Sequence, residues 1–362
     1  MATIFFTGFP GFLGSELLPK VVLRSQEDSA VCLVQKKFMS LAERRAADLV
    51  RKFPALEGRI GLIEGDITDP DLGLEDLQPL ASDVREIYHL AAVYDLSVRR
   101  AAGMKINVEG TTHMLNFAAS CRGLERFQYV STCYVSGIWP GIFSERDLEM
   151  GQMFNNFYEE TKYLAEVEVQ KRMRLGLPVT IYRPSIVVGD SESGETQKYD
   201  GPYYVIRWLL RQPFLAVLPM VGNPKLVRVN VVPRDFVIRA IGYLSGLDSS
   251  VGKVYQLADP NPLTVSELVD EVERATGRIV LRIPALKFAA KAAIDYVPGV
   301  FQVMQIPSAV IDYFTLPTHY SVDQTLRDLD GSGIEIPSFP DYINNLVRFV
   351  CNHPEISSAA MT

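Results

Sequence analysis

Apolar positions in the first half of the chain fall into short runs separated by stretches of helical length. Runs at Thr3–Phe6, Ala30–Val34, Arg59–Glu64, Glu86–Leu90, Phe127–Val130 and Pro178–Tyr182 read as strands buried on both faces. Ser15–Leu23, the region from about Ser40 to Lys52, Asn107–Ala119 and the stretch around Phe154–Glu166 read as helices. Pro19 is expected to kink or tighten the first of them. Strands and helices alternate with no internal repeat, which predicts an α/β fold built on a doubly wound parallel sheet. From Asp190 the pattern loosens. Asp190–Tyr199 reads as a polar loop, Tyr203–Arg211 as a helix, Leu226–Val232 as a strand and Asp235–Leu244 as a helix. Thr264 and Glu267 form a capping box for a helix over Val265–Thr276. A short strand at Val280–Ile283, apolar helices at Leu286–Val297 and Ser308–Phe314, and a last helix near Tyr342–Cys351 complete the pattern.

The first strand runs into Gly8, Gly11 and Gly14 of TGFPGFLG, and a helix follows. Strand, glycine turn and helix read either as a Rossmann-type phosphate cradle or as a purely structural Gly-rich turn. The first glycine permits a tight turn, the second lets backbone approach a pyrophosphate, and the third allows close helix–strand contact. The second strand ends in Gln35, Lys36 and Lys37, with no carboxylate. A ribose 2′-phosphate would meet cations there, so NADPH is expected over NADH. Asp66, after the third strand, either accepts from the adenine amino group or caps a turn of its loop. Ala91 and Ala92 of HLAA are small enough to let backbone pass close to a cofactor, and His89 reads as a packed strand residue. Asn107 is either a helix cap or an internal residue that bonds carbonyls or a water. Hydroxyls of STCYVSG follow the fifth strand, at the edge where open parallel sheets bind ligands. Tyr158 and Lys162 share a helix face at i, i+4. A lysine ammonium near a tyrosine favours the phenolate, which suits proton transfer at a substrate oxygen. The expected division is a nucleotide-binding domain over 1–189, with parts of 226–262 returning to it. A substrate-binding lobe over most of 190–352 and a tail at 353–362 follow.

A net charge of -7 leaves no basic footprint for nucleic acid. Cys32, Cys121, Cys133 and Cys351 show neither CxxC pairing nor metal spacing, and they read as reduced thiols of a cytoplasmic protein with no metal. The start lacks a basic n-region, so no signal peptide is expected. No uncharged run reaches the ~18–20 residues of a membrane span. The most apolar late stretch, Leu286–Val303, is interrupted by Lys287, Lys291 and Asp295.

Taken together, TGFPGFLG, GDI, HLAA, NVEGT, STCYVSG, YEETK and RPS, in this order, resemble an extended short-chain dehydrogenase/reductase. Within that superfamily GFLGSELL, GDITDPDLGL, the run Asn156–Glu166 and NVVPRDFV resemble the fatty acyl-CoA reductase (male-sterility) and thioester-reductase branch. That branch usually carries an Arg where this chain has Gln35. The resemblance implies Tyr158 as proton donor and Lys162 as the partner that lowers its pKa and bonds the nicotinamide ribose. It implies Thr132, more than Ser131, as the hydroxyl on the substrate carbonyl, and Asn107 as holder of a relay water. By the same resemblance the cofactor contacts are Thr7, Gly8, Phe9, Gly11, Phe12, Leu13, Gly14, Gln35, Lys36, Lys37, Asp66, Ile67, Leu90, Ala91, Ala92, Asn107, Tyr158, Lys162, Arg183, Pro184 and Ser185. The implied substrate contacts are Tyr94, Ser131, Thr132, Cys133 and Tyr158. The implied reaction is NADPH-dependent reduction of an acyl thioester, on CoA or a carrier, to an aldehyde, with onward reduction to an alcohol left open. The segment Leu286–Phe314 would line an acyl channel, rest peripherally on a membrane, or simply pack its lobe. Many relatives dimerise through helices equivalent to Asn107–Ala119 and Tyr158–Arg174, so the resemblance allows a homodimer and leaves the oligomeric state open. Alternative expectations are an alcohol dehydrogenase or ketone reductase of the sterol or flavonoid type, or a nucleotide-sugar epimerase or dehydratase that uses Arg228. A non-catalytic NADPH sensor is a further alternative, and the intact Thr132, Tyr158 and Lys162 set argues against it.

Overall fold

The computed structural model describes residues 2–358. Its first half is β1 (Thr3–Thr7), α1 (Gly14–Val22), β2 (Ser29–Val34), α2 (Met39–Lys52), β3 (Ile60–Glu64), α3 (Gln78–Asp83) and β4 (Val84–His89). Next come α4 (Arg100–Gly103), a π-helical turn over Met104–Glu109, α5 (Gly110–Ser120), β5 (Arg126–Val130), β6 (Gly141–Phe143), α6 (Phe157–Arg174) and β7 (Val179–Pro184). The second half holds β8 (Ile186–Val188), α7 (Pro202–Leu210), β9 (Leu215–Val221), β10 (Val231–Pro233), α8 (Arg234–Leu244), β11 (Val254–Leu257), α9 (Val265–Thr276) and β12 (Ile279–Ala285). It closes with α10 (Lys287–Tyr296), α11 (Val300–Met304), α12 (Val310–Tyr313), β13 (Thr318–Tyr320), α13 (Asp323–Leu329) and α14 (Phe339–Asn352).

Seven strands form one parallel sheet in the order β11-β7-β5-β4-β1-β2-β3. Phe5 and Phe6 of β1 are fully buried although they point to opposite faces, because helices cover both sides. On one face α1, α2 and α8 pack against Ile4, Phe6, Cys32, Tyr88 and Tyr182. On the other, α5 and α6 pack against Phe5, Leu33, Ile87, Phe127 and Ile181. This is the doubly wound α/β sheet expected from the alternation. A second core joins α7, α9, α14, β9 and β12 through Tyr203, Leu209, Leu218, Leu268, Val272 and Leu346.

The local signals acted as read in several places. Thr264 accepts from the Glu267 amide at 3.2 Å and Glu267 accepts from the Thr264 amide at 2.8 Å, so the capping box starts α9. Pro19 lies inside α1 without ending it. Elsewhere pairing overrode the pattern. The strand expected over Leu226–Val232 reduces to β10, beside β8. The chain instead spends Leu215–Val221 on a parallel pair with Ile279–Ala285, in which Val217 faces Leu281. The helix expected to open at Asn107 begins at Arg100, so Asn107 lies within it.

Candidate active site

The carboxyl ends of β1, β4, β5 and β7 open into one cavity of about 440 Å³. Its floor is the glycine turn. Gly8 has φ +91°, and a Cβ there would stand 2.8 Å from Leu90 Cβ. A Cβ on Gly14 would collide with the Gly8 carbonyl oxygen, so this third glycine serves the turn itself. Among the described residues the amides of Phe12 and Leu13 have no protein acceptor. Free amides ahead of the α1 N-terminus suit an anion. The buried Ser185 hydroxyl also lines the cavity with no partner. These are features that a bound dinucleotide diphosphate and its carboxamide end would satisfy.

At the other end of the floor, Gln35 donates from Nε2 to Asp66 Oδ2 at 2.7 Å, and Lys37 lines the cavity beside them. Lys36, expected with them, does not line it. His89 is buried between Thr7 Oγ1, 2.8 Å from Nδ1, and Thr111 Oγ1, 3.0 Å from Nε2. Burial, and secondarily Lys162, pushes its pKa down to about 3, so it is a neutral packed residue, as read from the sequence.

The reacting end is built by α6. Asn156 caps that helix, accepting from the Glu159 amide at 3.0 Å, and this places Tyr158 in the first turn. Tyr158 and Lys162 both line the cavity. Thr132 lines the cavity with them, its hydroxyl donating to the Pro184 carbonyl at 3.4 Å and accepting from the Tyr134 amide at 3.3 Å, and its pull on the Tyr158 pKa sets it beside that tyrosine. Ser131 is turned instead towards Glu166, to which its hydroxyl donates. Of the two adjacent hydroxyls, Thr132 is therefore the one that meets the tyrosine.

Two expectations about this end are corrected. Lys162 does not reach the Tyr158 hydroxyl. Its ammonium donates to Tyr129 Oη at 3.0 Å and to the Val130 carbonyl at 2.9 Å. Burial pushes the Tyr158 pKa up, against the pull of Thr132, while Glu159 and Asp200 add to the rise. Burial also pushes Lys162 down to about 7, opposed by Glu166. Asn107 does not face the cavity. Its Oδ1 accepts from the Val93 amide at 2.9 Å, and Nδ2 donates to Val93 O at 3.1 Å and Thr161 Oγ1 at 3.0 Å. The side-chain amide thereby pins the segment after β4 to α6.

Arg183 and Cys133 are further corrections. Arg183 is fully buried behind the site. Its Nε donates to Glu166 Oε1 at 3.0 Å and its Nη2 to the same oxygen at 2.6 Å. Cys133 donates to the Arg183 carbonyl at 2.9 Å and lies outside the cavity. Arg228 is exposed, donates to the Pro262 carbonyl at 2.5 Å and is also outside it, which removes the residue proposed for a sugar-nucleotide diphosphate. Thr7, Gly8, Phe9, Gly11, Phe12, Leu13, Gly14, Asp66, Ile67, Leu90, Ala91, Ala92, Pro184, Ser185, Tyr94 and Ser131 all line the cavity.

Sequence reading missed the far wall. Tyr134, Lys198, Asp200, Tyr204, Val310 and Tyr313 line it. Lys198 pairs with Asp200 at 3.1 Å and lies 4.6 Å from the Tyr94 ring centroid. The sequence hints were the polar loop Asp190–Tyr199 and the apolar segment Leu286–Phe314, read among other roles as an acyl channel. From the segment Leu286–Phe314, Val310, Tyr313 and Phe314 reach the cavity, while Leu286, Phe288 and Tyr296 are exposed. No helix of the described residues is long and apolar enough to cross a membrane.

Against this geometry, the family model described as male sterility protein matches residues 6–241. The chain belongs to the male sterility protein family. This family member is an NAD(P)-dependent oxidoreductase of the extended short-chain dehydrogenase/reductase type, with a nicotinamide cofactor. It is similar to a linear gramicidin synthase of Brevibacillus parabrevis, 28% identical over 74% of this chain and 5% of that protein. It is likewise similar to the large subunit of the L-2-aminoadipate reductase of Penicillium chrysogenum, 28% identical over 66% of this chain and 18% of that one. The chain thus spans a small part of the curated relatives it matches. Among solved structures, the terminal R domain of the myxalamid PKS-NRPS biosynthetic pathway superposes with a TM-score of 0.84. Identity there is 26%, covering 99% of this chain and 92% of that one.

Proposed function

We propose that this chain reduces an acyl thioester to an aldehyde with NADPH, using Thr132, Tyr158 and Lys162. One observation carries the reading: in a single cavity the glycine turn, the side chains of Thr132, Tyr158 and Lys162, and a wall of Val310, Tyr313 and Phe314 meet. The similarity to an aminoadipate reductase and to a reductase domain of an assembly line supports it.

The bound dinucleotide supplies the hydride. Thr132 donates to the thioester carbonyl oxygen and stabilises the charge that develops there. Tyr158, held protonated by burial, gives its proton to that oxygen. When the resulting hemithioacetal collapses, the carbon–sulfur bond breaks and Tyr158 regains the hydroxyl proton. The thiolate takes a proton from water. Lys162 spends two of its ammonium protons on Tyr129 and Val130, which leaves the third for the nicotinamide ribose.

NADPH is proposed over NADH because Gln35 and Lys37 line the adenine end and no carboxylate closes β2. Following loss of NADPH absorbance with acyl-CoA and acyl-pantetheine substrates of graded length tests the function. Turnover is expected within that series. Turnover on ketones alone would overturn the thioester reading in favour of a ketone reductase.

A further inference from the structure

Lys198 and Asp200 line the far wall of the cavity, on the loop that leads into α7. The Lys198 side chain is 13% exposed. Its Nζ lies 3.1 Å from Asp200 Oδ2 and 4.6 Å from the centroid of the Tyr94 ring. The ammonium is thus held between a carboxylate and a ring face that line the same cavity. Asp200 is its only acceptor among the described residues, so at least two of its three N–H groups have no protein partner. After burial, Asp200 and Tyr94 are among the groups that raise the Tyr158 pKa, which sets the pair within electrostatic reach of the reacting end.

Charge decides what this wall can hold. Asp200 offsets the lysine, and Asp95, which also lines the cavity, adds a second carboxylate. An anion would meet two like charges, and a cation would meet Lys198. A neutral carbonyl oxygen meets donors that are otherwise unmet. The wall is also of two kinds. Thr196, Lys198 and Asp200 bring polar groups from the loop before α7, while Val310, Tyr313 and Phe314 bring apolar surface from α12 and its end. A thioester on CoA or a carrier has two arms that differ in the same way, an acyl chain and a thiol arm built with neutral amides. We propose that Lys198, held by Asp200, donates to an amide carbonyl in the thiol arm of the substrate and so selects pantetheine-type thioesters over simple alkyl thioesters. The proposal rests on the reading that this cavity reduces a thioester.

The test is steady-state kinetics with one acyl group carried on pantetheine, whose arm contains amides, and on ethanethiol, which has none. The readout is the ratio of kcat/KM for the two thioesters. A hydrogen bond from a charged donor predicts that Lys198→Met lowers this ratio by about 10- to 100-fold. Lys198→Gln, which keeps a neutral donor, should lower it less, and it serves as the second variant should the methionine variant not fold. A ratio within roughly twofold of wild type in the variants that fold, even where both rates fall together, would overturn the role of Lys198 and leave the thioester reading intact. Turnover by wild type on ketones with none on either thioester would overturn both.

Discussion

Glu166 and Arg183 both have side chains with no exposure, so their ion pair has no water to fall back on. The Glu166 carboxylate accepts from Arg183 Nε and Nη2, from Ser131 Oγ and from Gln170 Nε2 at 2.9 Å. Arg183 completes its valence on the carbonyls of Ser144 at 3.3 Å and Asp147 at 2.8 Å. Replacing Glu166 by Gln turns an amide donor towards a buried guanidinium. Replacing Arg183 by Met leaves a buried carboxylate with two neutral donors. Each change should cost about 3–5 kcal/mol of stability, since breaking a buried pair strands a charge. The double change Glu166→Gln with Arg183→Met removes both charges and should cost far less than the sum, a coupling of at least about 3 kcal/mol. Urea unfolding, followed by tryptophan fluorescence and far-ultraviolet circular dichroism, measures all three variants. Single variants that each cost under about 1 kcal/mol, or a double variant equal to their sum, would refute the pair as a coupled buried unit. The same cycle separates a structural Arg183 from a cofactor contact, because NADPH affinity per folded molecule should be unchanged in the double variant.

Tyr158→Phe should lower kcat by ~10²–10⁴-fold while NADPH still binds, as measured by steady-state kinetics and titration; near-normal turnover would remove Tyr158 as the donor. Gly14→Ala should abolish NADPH binding, because the added Cβ collides with the Gly8 carbonyl and distorts the cradle; titration reads the loss. Glu159 is fully buried, and burial raises its pKa from 4.5 to about 7. A carboxyl with a raised folded-state pKa contributes stability below about 4.5 that is lost as pH rises to about 7. Glu159→Gln, which keeps an acceptor for the Asn155 amide, should therefore stabilise the protein by up to about 3 kcal/mol at pH 8 and little at pH 4.5, read by urea unfolding at the two pH values.

What was legible in the sequence was local. The glycine turn is dictated by residues three apart whose backbone and close contacts exclude a Cβ, so Gly8, Gly11 and Gly14 could be read directly. Tyr158 and Lys162 share a helix face by spacing alone, and both reach the cavity. What the side chains do with that placement depends on distant partners. Lys162 turns to Tyr129 and Val130 on β5, and Asn107 is claimed by Val93 and Thr161. Arg183 follows the sixth predicted strand as a motif residue, yet the partner that decides its direction, Glu166, sits on α6. The parallel pair of β9 and β12 joins segments more than sixty residues apart, and neither run alternates cleanly. The far wall draws Lys198, Tyr204 and Tyr313 from three separated segments, which meet only through tertiary packing.

The central claim is that one site converts a thioester to an aldehyde and a free thiol at the expense of NADPH. Its most direct measurement is the stoichiometry of a single reaction mixture containing NADPH and an acyl-pantetheine thioester, with the aldehyde trapped as a hydrazone and the thiol counted by disulfide exchange. The account predicts one aldehyde and one thiol for each NADPH consumed in the trapped reaction, and both lost together in Tyr158→Phe. NADPH consumption without release of thiol would contradict it.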